Sequence, residues 1–133
     1  MIGVEKLLFS RDKITPMTTP EIEKEQALTI GGIIQYVPNS VVSKNIIKKT
    51  SGRVNAVSFD AGQTMVEKII PFDTFIQVID GQAHIEISEK LHVLETGQAI
   101  IIPAHAPNTI RANVRFKMIS MVIKSGYEDV PLI

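Results

Sequence analysis

The chain holds 133 residues, 44% of them apolar, with 14 Lys and Arg balanced by 14 Asp and Glu and with neither cysteine nor tryptophan. This composition excludes a disordered chain, a disulfide-stapled scaffold and a thiolate metal centre, and zero net charge removes the long-range attraction that nucleic acid or an anionic membrane would need. The 21 Ile and 12 Val outweigh 6 Leu and 8 Ala, and β-branched side chains favour pleated strands, so the expected fold is all-β.

In chain order, residues 1–29 read as an N-terminal extension, 30–124 as a β-barrel and 125–133 as a C-terminal tail of one domain. Met1 to Ser10 contains Leu7-Leu8 but no apolar run suited to a secretory signal or a membrane span, so the expected location is cytoplasmic. Thr18 to Leu28 offers a capping Thr, Pro20 near the first helical position and acids in the first turn, which predicts a short helix. Ten β-branched runs follow: 32–37, 41–48, 54–59, 64–68, 75–80, 84–87, 91–94, 99–102, 109–112 and 116–124. Turn signals such as Pro38-Asn39-Ser40, Asp80-Gly81 and Thr96-Gly97 lie between them, at the spacing of a sandwich or barrel. With Ser88-Glu89 as a two-residue turn, His92 pairs with Ile85, which sets His84 and His92 on opposite faces of the hairpin.

Two stretches carry a family resemblance. Gly62 is followed by five residues, Lys68-Ile69-Ile70, three residues, Thr74, six residues and Gly81; Gly97 is followed by five residues, Pro103-Ala104-His105, two residues, Asn108, three residues and Ala112. These spacings resemble the two motifs of the cupin family, whose first reads Gly, five residues, His-x-His, three or four residues, Glu, six residues, Gly. The second reads Gly, five residues, Pro-x-Gly, two residues, His, three residues, Asn. The likeness covers roughly Val41 to Lys124, and it is strongest to small single-domain cupins with a Pro-Phe-Asp run, here Pro71-Phe72-Asp73. It implies a cupin-like double-stranded β-helix, or jelly-roll barrel, preceded by the short helical segment.

The family's four metal-ligand positions fall on Lys68, Ile70, Thr74 and Asn108. A protonated amine and an alkyl group cannot coordinate, and a lone hydroxyl or carboxamide is a poor ligand for a transition metal, so no metal and no cofactor are expected. His105 stands where the family has a Gly that supplies a positive-φ turn. Strand alternation, set against the family frame, turns Thr74, Ile76 and Val78, and Asn108, Ile110 and Ala112, toward the interior, while Asp73, Gln77 and Arg111 face away. The expected ligand pocket is therefore Lys68, Ile70, Thr74, Ile76, Asn108 and Ile110, with His105 at its mouth.

An apolar cavity with a few polar groups suits a small organic molecule, so the expected function is metal-free small-molecule binding inside the barrel. Lys68 serves as a partner for a ligand carboxylate, or snorkels to the mouth and pairs with Glu67 or Asp73. Two rival readings stand beside it: a cofactor-independent isomerase or lyase using Lys68 or His105 as acid or base, and an interaction subunit with a non-functional pocket. The expected partner is a second copy of the chain, through edge strands and the apolar runs at Ile33-Ile34 and Val41-Val42, with neither nucleic acid nor membrane.

Overall fold

A computed structural model of the chain describes residues 21–66 and 69–126. Eight strands follow one 3-10 turn at Ile30–Gly32: β1 (Val41–Lys49), β2 (Gly52–Phe59), β3 (Thr64–Met65), β4 (Thr74–Ile87), β5 (Lys90–Glu95), β6 (Ala99–Ile102), β7 (Asn108–Arg111) and β8 (Phe116–Ile123). All pairings are antiparallel, and the order is β1-β2-β8-β4-β7-β3 with β5 and β6 also on β4. None of the described helical segments is long and apolar enough to cross a membrane.

β4 organises the barrel, because its 14 residues serve two sheets. Its first half lies between β6 and β8, in a sheet that continues to β2 and β1; its second half lies between β5 and β7, in a sheet that continues to β3. The two expected runs 75–80 and 84–87 are therefore one strand. Asp80-Gly81 is not a turn but a crossing point: the β4–β8 register slips between Val78 and Asp80, and Gly81 takes φ +82°. Such a bulge bends one strand enough to pass it between sheets without ending it.

The face between the sheets is the main core, built from Val57, Phe59, Ile76, Val78, Ala83, Ile85, Leu94, Ile110, Phe116, Met118 and their neighbours. Alternation along β4, where Thr74, Ile76, Val78, Ala83, Ile85 and Ile87 are buried, reads directly as period-two patterning on either side of the bulge. At its centre the Phe59 and Phe116 rings stack with centroids 4.5 Å apart.

Two expectations for the N-terminal portion are corrected. Residues 21–29 form no helix, and residues 18–20 lie outside the described residues. Tertiary partners outcompete the weak local signal: the Ile22 N–H donates to Asn45 O at 3.2 Å, the Glu21 carboxylate accepts from the Lys48 N–H at 2.6 Å, and Glu25 adopts φ +65°. That backbone bond, with Lys24 and Lys49 beside it, holds the Glu21 carboxyl down to about 2. Residues 32–37 form no strand either. They lie as a strap over the outer face of the first sheet, where Ile33 and Ile34 pack with Val42 and Ala56 in a second apolar cluster. The Ile33-Ile34 run and Val42 are thus covered within their own chain.

Polar contacts fasten this strap. Lys117, buried on the outer face, donates to Gly31 O at 2.7 Å, Ser58 Oγ donates to Gln35 O at 2.9 Å, and the Tyr36 hydroxyl donates to Asp80. Burial, reinforced by the Asp80 bond, pushes the Tyr36 hydroxyl well above its ordinary range, so it stays a donor at neutral pH. Asp60 accepts from the Asn39 N–H at 2.7 Å and pairs with Arg115 at 3.3 Å; the backbone bond first, then the guanidinium, lowers its carboxyl.

Candidate functional site

At one end of the barrel a loop, residues 103–107, leads from β6 into β7 and is pinned on three sides. The His105 N–H donates to Ile70 O at 2.7 Å, the Ala104 N–H donates to Asp73 Oδ1 at 2.8 Å, and Pro107 O accepts from the Ser88 N–H at 2.9 Å. Asp73 thus anchors this loop through its carboxylate. His105 keeps the positive-φ turn at +69° although it is not Gly, and its side chain is exposed. An L residue there carries strain of about 1–2 kcal/mol. His105→Gly is expected to raise stability by about 0.5–1 kcal/mol net of the added freedom of the unfolded chain, read as a higher urea midpoint.

The structure places the expected pocket residues as follows. Thr74, Ile76 and Ile110 are buried on inward faces, Ile70 is half-buried beside the pinned loop, and Lys68 lies outside the described residues. Asn108 opens β7 half-buried, and its Nδ2 donates to Ala106 O at 3.2 Å. The outward assignments of Gln77 and Arg111 agree with the register, in which Arg111 pairs with the outward His84. The expected hairpin register also appears, with Ile85 opposite His92. His84 points out, its Nδ1 facing Asn113 Nδ2 at 3.2 Å and its Nε2 facing Gln82 Oε1 at 3.3 Å.

Four inward polar residues were missed by the sequence reading. Directly paired residues of antiparallel strands share a face. His92, opposite the fully buried Ile85, therefore belongs to the inner face with Asn108, a step that the register alone would have licensed. In the opposite sheet Asn45, Asn55, Ser120 and Ile76 are partners across β1, β2, β8 and β4, so the two asparagines and the serine share the inward face of buried Ile76. The Asn55 Oδ1 is buried and, among the described residues, has no hydrogen-bond partner. A buried acceptor left unmet costs about 1–3 kcal/mol. No composition or motif signal marks Asn55; the tell is a polar residue at an inward position of a central strand.

The donor chemistry at the cupin metal positions does not fit a transition metal, since the described positions hold Ile70, Thr74 and Asn108, without imidazole or carboxylate. Among the described residues no three His, Asp or Glu side chains converge. What the interior offers is an apolar wall with separated polar side chains: Asn55, Ser120 and Thr74 on one sheet, His92 and Asn108 on the other.

No family model and no curated protein matches the sequence. Solved structures do match. A conserved protein of unknown function from Streptococcus pyogenes superposes with a TM-score of 0.75 at 23% identity, over 80% of this chain and 94% of that one. A cupin superfamily protein from Desulfitobacterium hafniense gives 0.73 at 23% identity, over 78% and 95%. An RmlC-like cupin from Shewanella frigidimarina gives 0.65 at 13% identity, over 81% and 97%. With the two-sheet barrel and the shared β4, these likenesses show that the chain has the cupin fold.

Proposed function

We propose that this chain is a metal-independent binding barrel that holds a small organic molecule between its two sheets. The observation that carries the reading is the orphaned Asn55 Oδ1, a buried acceptor that a ligand hydroxyl or amide N–H would satisfy. Asn108, with one bond to Ala106 O, keeps a carboxamide oxygen and a second N–H for a ligand carbonyl or carboxylate. The resemblance of the motif frame adds Lys68 as the cationic partner of a carboxylate. The ligand class is thus a small molecule with a hydroxyl or amide donor at one end and a carboxylate or carbonyl at the other.

Thermal-shift screening of small hydroxy and oxo acids tests this, since a ligand selective for the folded chain raises its apparent stability. With a binder in hand, Asn55→Leu is expected to leave the free protein as stable or more stable, while weakening binding by about 1–3 kcal/mol through loss of the acceptor. Lys68→Met keeps the stem's volume and removes the charge, so binding of an acid is expected to fall by about 2 kcal/mol. Binding that is equal in wild type, Asn55→Leu and Lys68→Met would place the ligand elsewhere and defeat the reading.

A further inference from the structure

The inward face of β2 also carries a charge. The β2–β8 register runs without a slip from Gly52 to Phe59, so Arg53 stands two residues from Asn55 on the same side, opposite buried Val122, which pairs in turn with buried Thr74. Arg53 is half-buried, and among the described residues its guanidinium has neither an ion pair nor a hydrogen bond. Its direct partner across β1 is Lys48, so two cations oppose each other at one level of the sheet, and like charges in that relation repel. Among the described residues no acid pairs with either of them: Glu21, which is bonded to β1 here, already accepts from the Lys48 N–H and pairs with Lys24 and Lys49. Gly52 keeps the backbone of this cation in place. A Cβ there would meet Val122 O at 2.6 Å, so β2 lies close against β8 at the residue before Arg53.

We propose that Arg53 makes the barrel selective for acids: its guanidinium holds a carboxylate of the ligand while a hydroxyl or amide N–H of the same ligand satisfies Asn55 Oδ1. This rests on the binding reading above and adds to it the residue that sets the ligand's charge. A guanidinium presents a planar fork that meets a carboxylate through two parallel hydrogen bonds. Residues two apart on a strand lie about 6.6 Å from each other, a separation that one small hydroxy acid can bridge between a long Arg side chain and a carboxamide. A half-buried charge is costly while unpaired, and an anion entering between the sheets removes that cost and the repulsion from Lys48 together. At the same end of the barrel Ile102 pairs with Thr74 and residues 103–107 lead across to Asn108, so the ligand's carbonyl finds its neutral partner on the opposite sheet.

The test compares hydroxy acids with their primary amides, which keep the hydroxyl and the shape but lose the charge. Lactate, malate, mandelate and gluconate, each beside its amide, are titrated into the full-length protein by calorimetry. The wild type is expected to bind at least one acid roughly tenfold or more tighter than its amide, and added salt should weaken the acid alone. Arg53→Gln should lose that preference by weakening the acid and leaving the amide unchanged, and Arg53→Lys should recover part of it, because the charge returns without the fork. Since Arg53 has no partner among the described residues, Arg53→Gln should leave the urea midpoint of the free protein unchanged or raised; a marked fall would mean that the fold itself uses the guanidinium, and overturns the proposal. Acid binding that weakens in Asn55→Leu but not in Arg53→Gln overturns the role of Arg53 and leaves the binding barrel standing, as does a wild type that binds acid and amide equally. If none of the acids or amides binds at millimolar concentration, the binding barrel and the role of Arg53 fail together.

Discussion

Gly81→Ala is expected to prevent folding, or to lower stability by more than about 4 kcal/mol where folded protein survives. Two independent costs converge at this residue. At φ +82° any L side chain is strained by about 1–3 kcal/mol. An added Cβ would also meet Arg115 O at 2.2 Å and Phe116 Cα at 2.9 Å, and both of those are backbone atoms of the neighbouring chain segment that cannot turn aside. Relief would require β8 to move off β4 at the point where β4 changes sheets. Gly97→Ala provides the control, because Gly97 has φ +91° but nothing within 4 Å of an added Cβ. Only the conformational cost should appear there, about 1–2 kcal/mol. Urea denaturation of the two variants side by side decides the matter: comparable losses would mean that close packing against β8 contributes nothing at the crossing.

Phe116→Ala is expected to cost about 3–5 kcal/mol, the range for deleting a fully buried aromatic side chain. Phe116 pairs in register with both Gly81 and Phe59, so its ring fills the space that the crossing glycine leaves open. The stack with Phe59, at 4.5 Å and 15° between planes, adds about 0.5–1.5 kcal/mol beyond the area buried. Phe116→Leu should recover much of the loss by restoring volume. In a double-mutant cycle, Phe59→Ala together with Phe116→Ala should destabilise by less than the sum of the single changes, since the second deletion removes a partner already lost. Strict additivity would show that the rings act only as separate fillers.

The strands were legible wherever apolar alternation coincided with an unambiguous turn, as at β6, where the expected and observed bounds agree at 99–102. The one long strand was not, because Asp80-Gly81 has the composition of a hairpin turn, and only the neighbouring Phe116 backbone shows why glycine is required there. The helix reading failed for a related reason. Glu21, an apparent first-turn acid, bonds instead to Lys48, a partner 27 residues away that no local pattern displays. Alternation within the motif strands places Thr74, Ile76 and Ile110 on inward faces, but Asn55 lies on β2, before the first motif begins, where no motif position marks it. Its inward direction depends on the pairing of β2 with β8, a long-range register that periodicity within one segment cannot supply.

That same β2–β8 pairing sets a timetable for synthesis. Phe59 and Phe116 lie side by side in the sheet, yet roughly 57 positions separate them along the chain. At about 5–20 residues per second, β2 waits on the order of 3–11 seconds after leaving the ribosome before its partner strand exists. During that interval β1 and β2 are at most an isolated hairpin, which is marginally stable in water, and their apolar faces are open. The barrel therefore cannot grow strand by strand from its N-terminal end. The first sheet is completed only once β8 exists, and until then the apolar faces of β1 and β2 are open to chaperone binding or self-association for seconds.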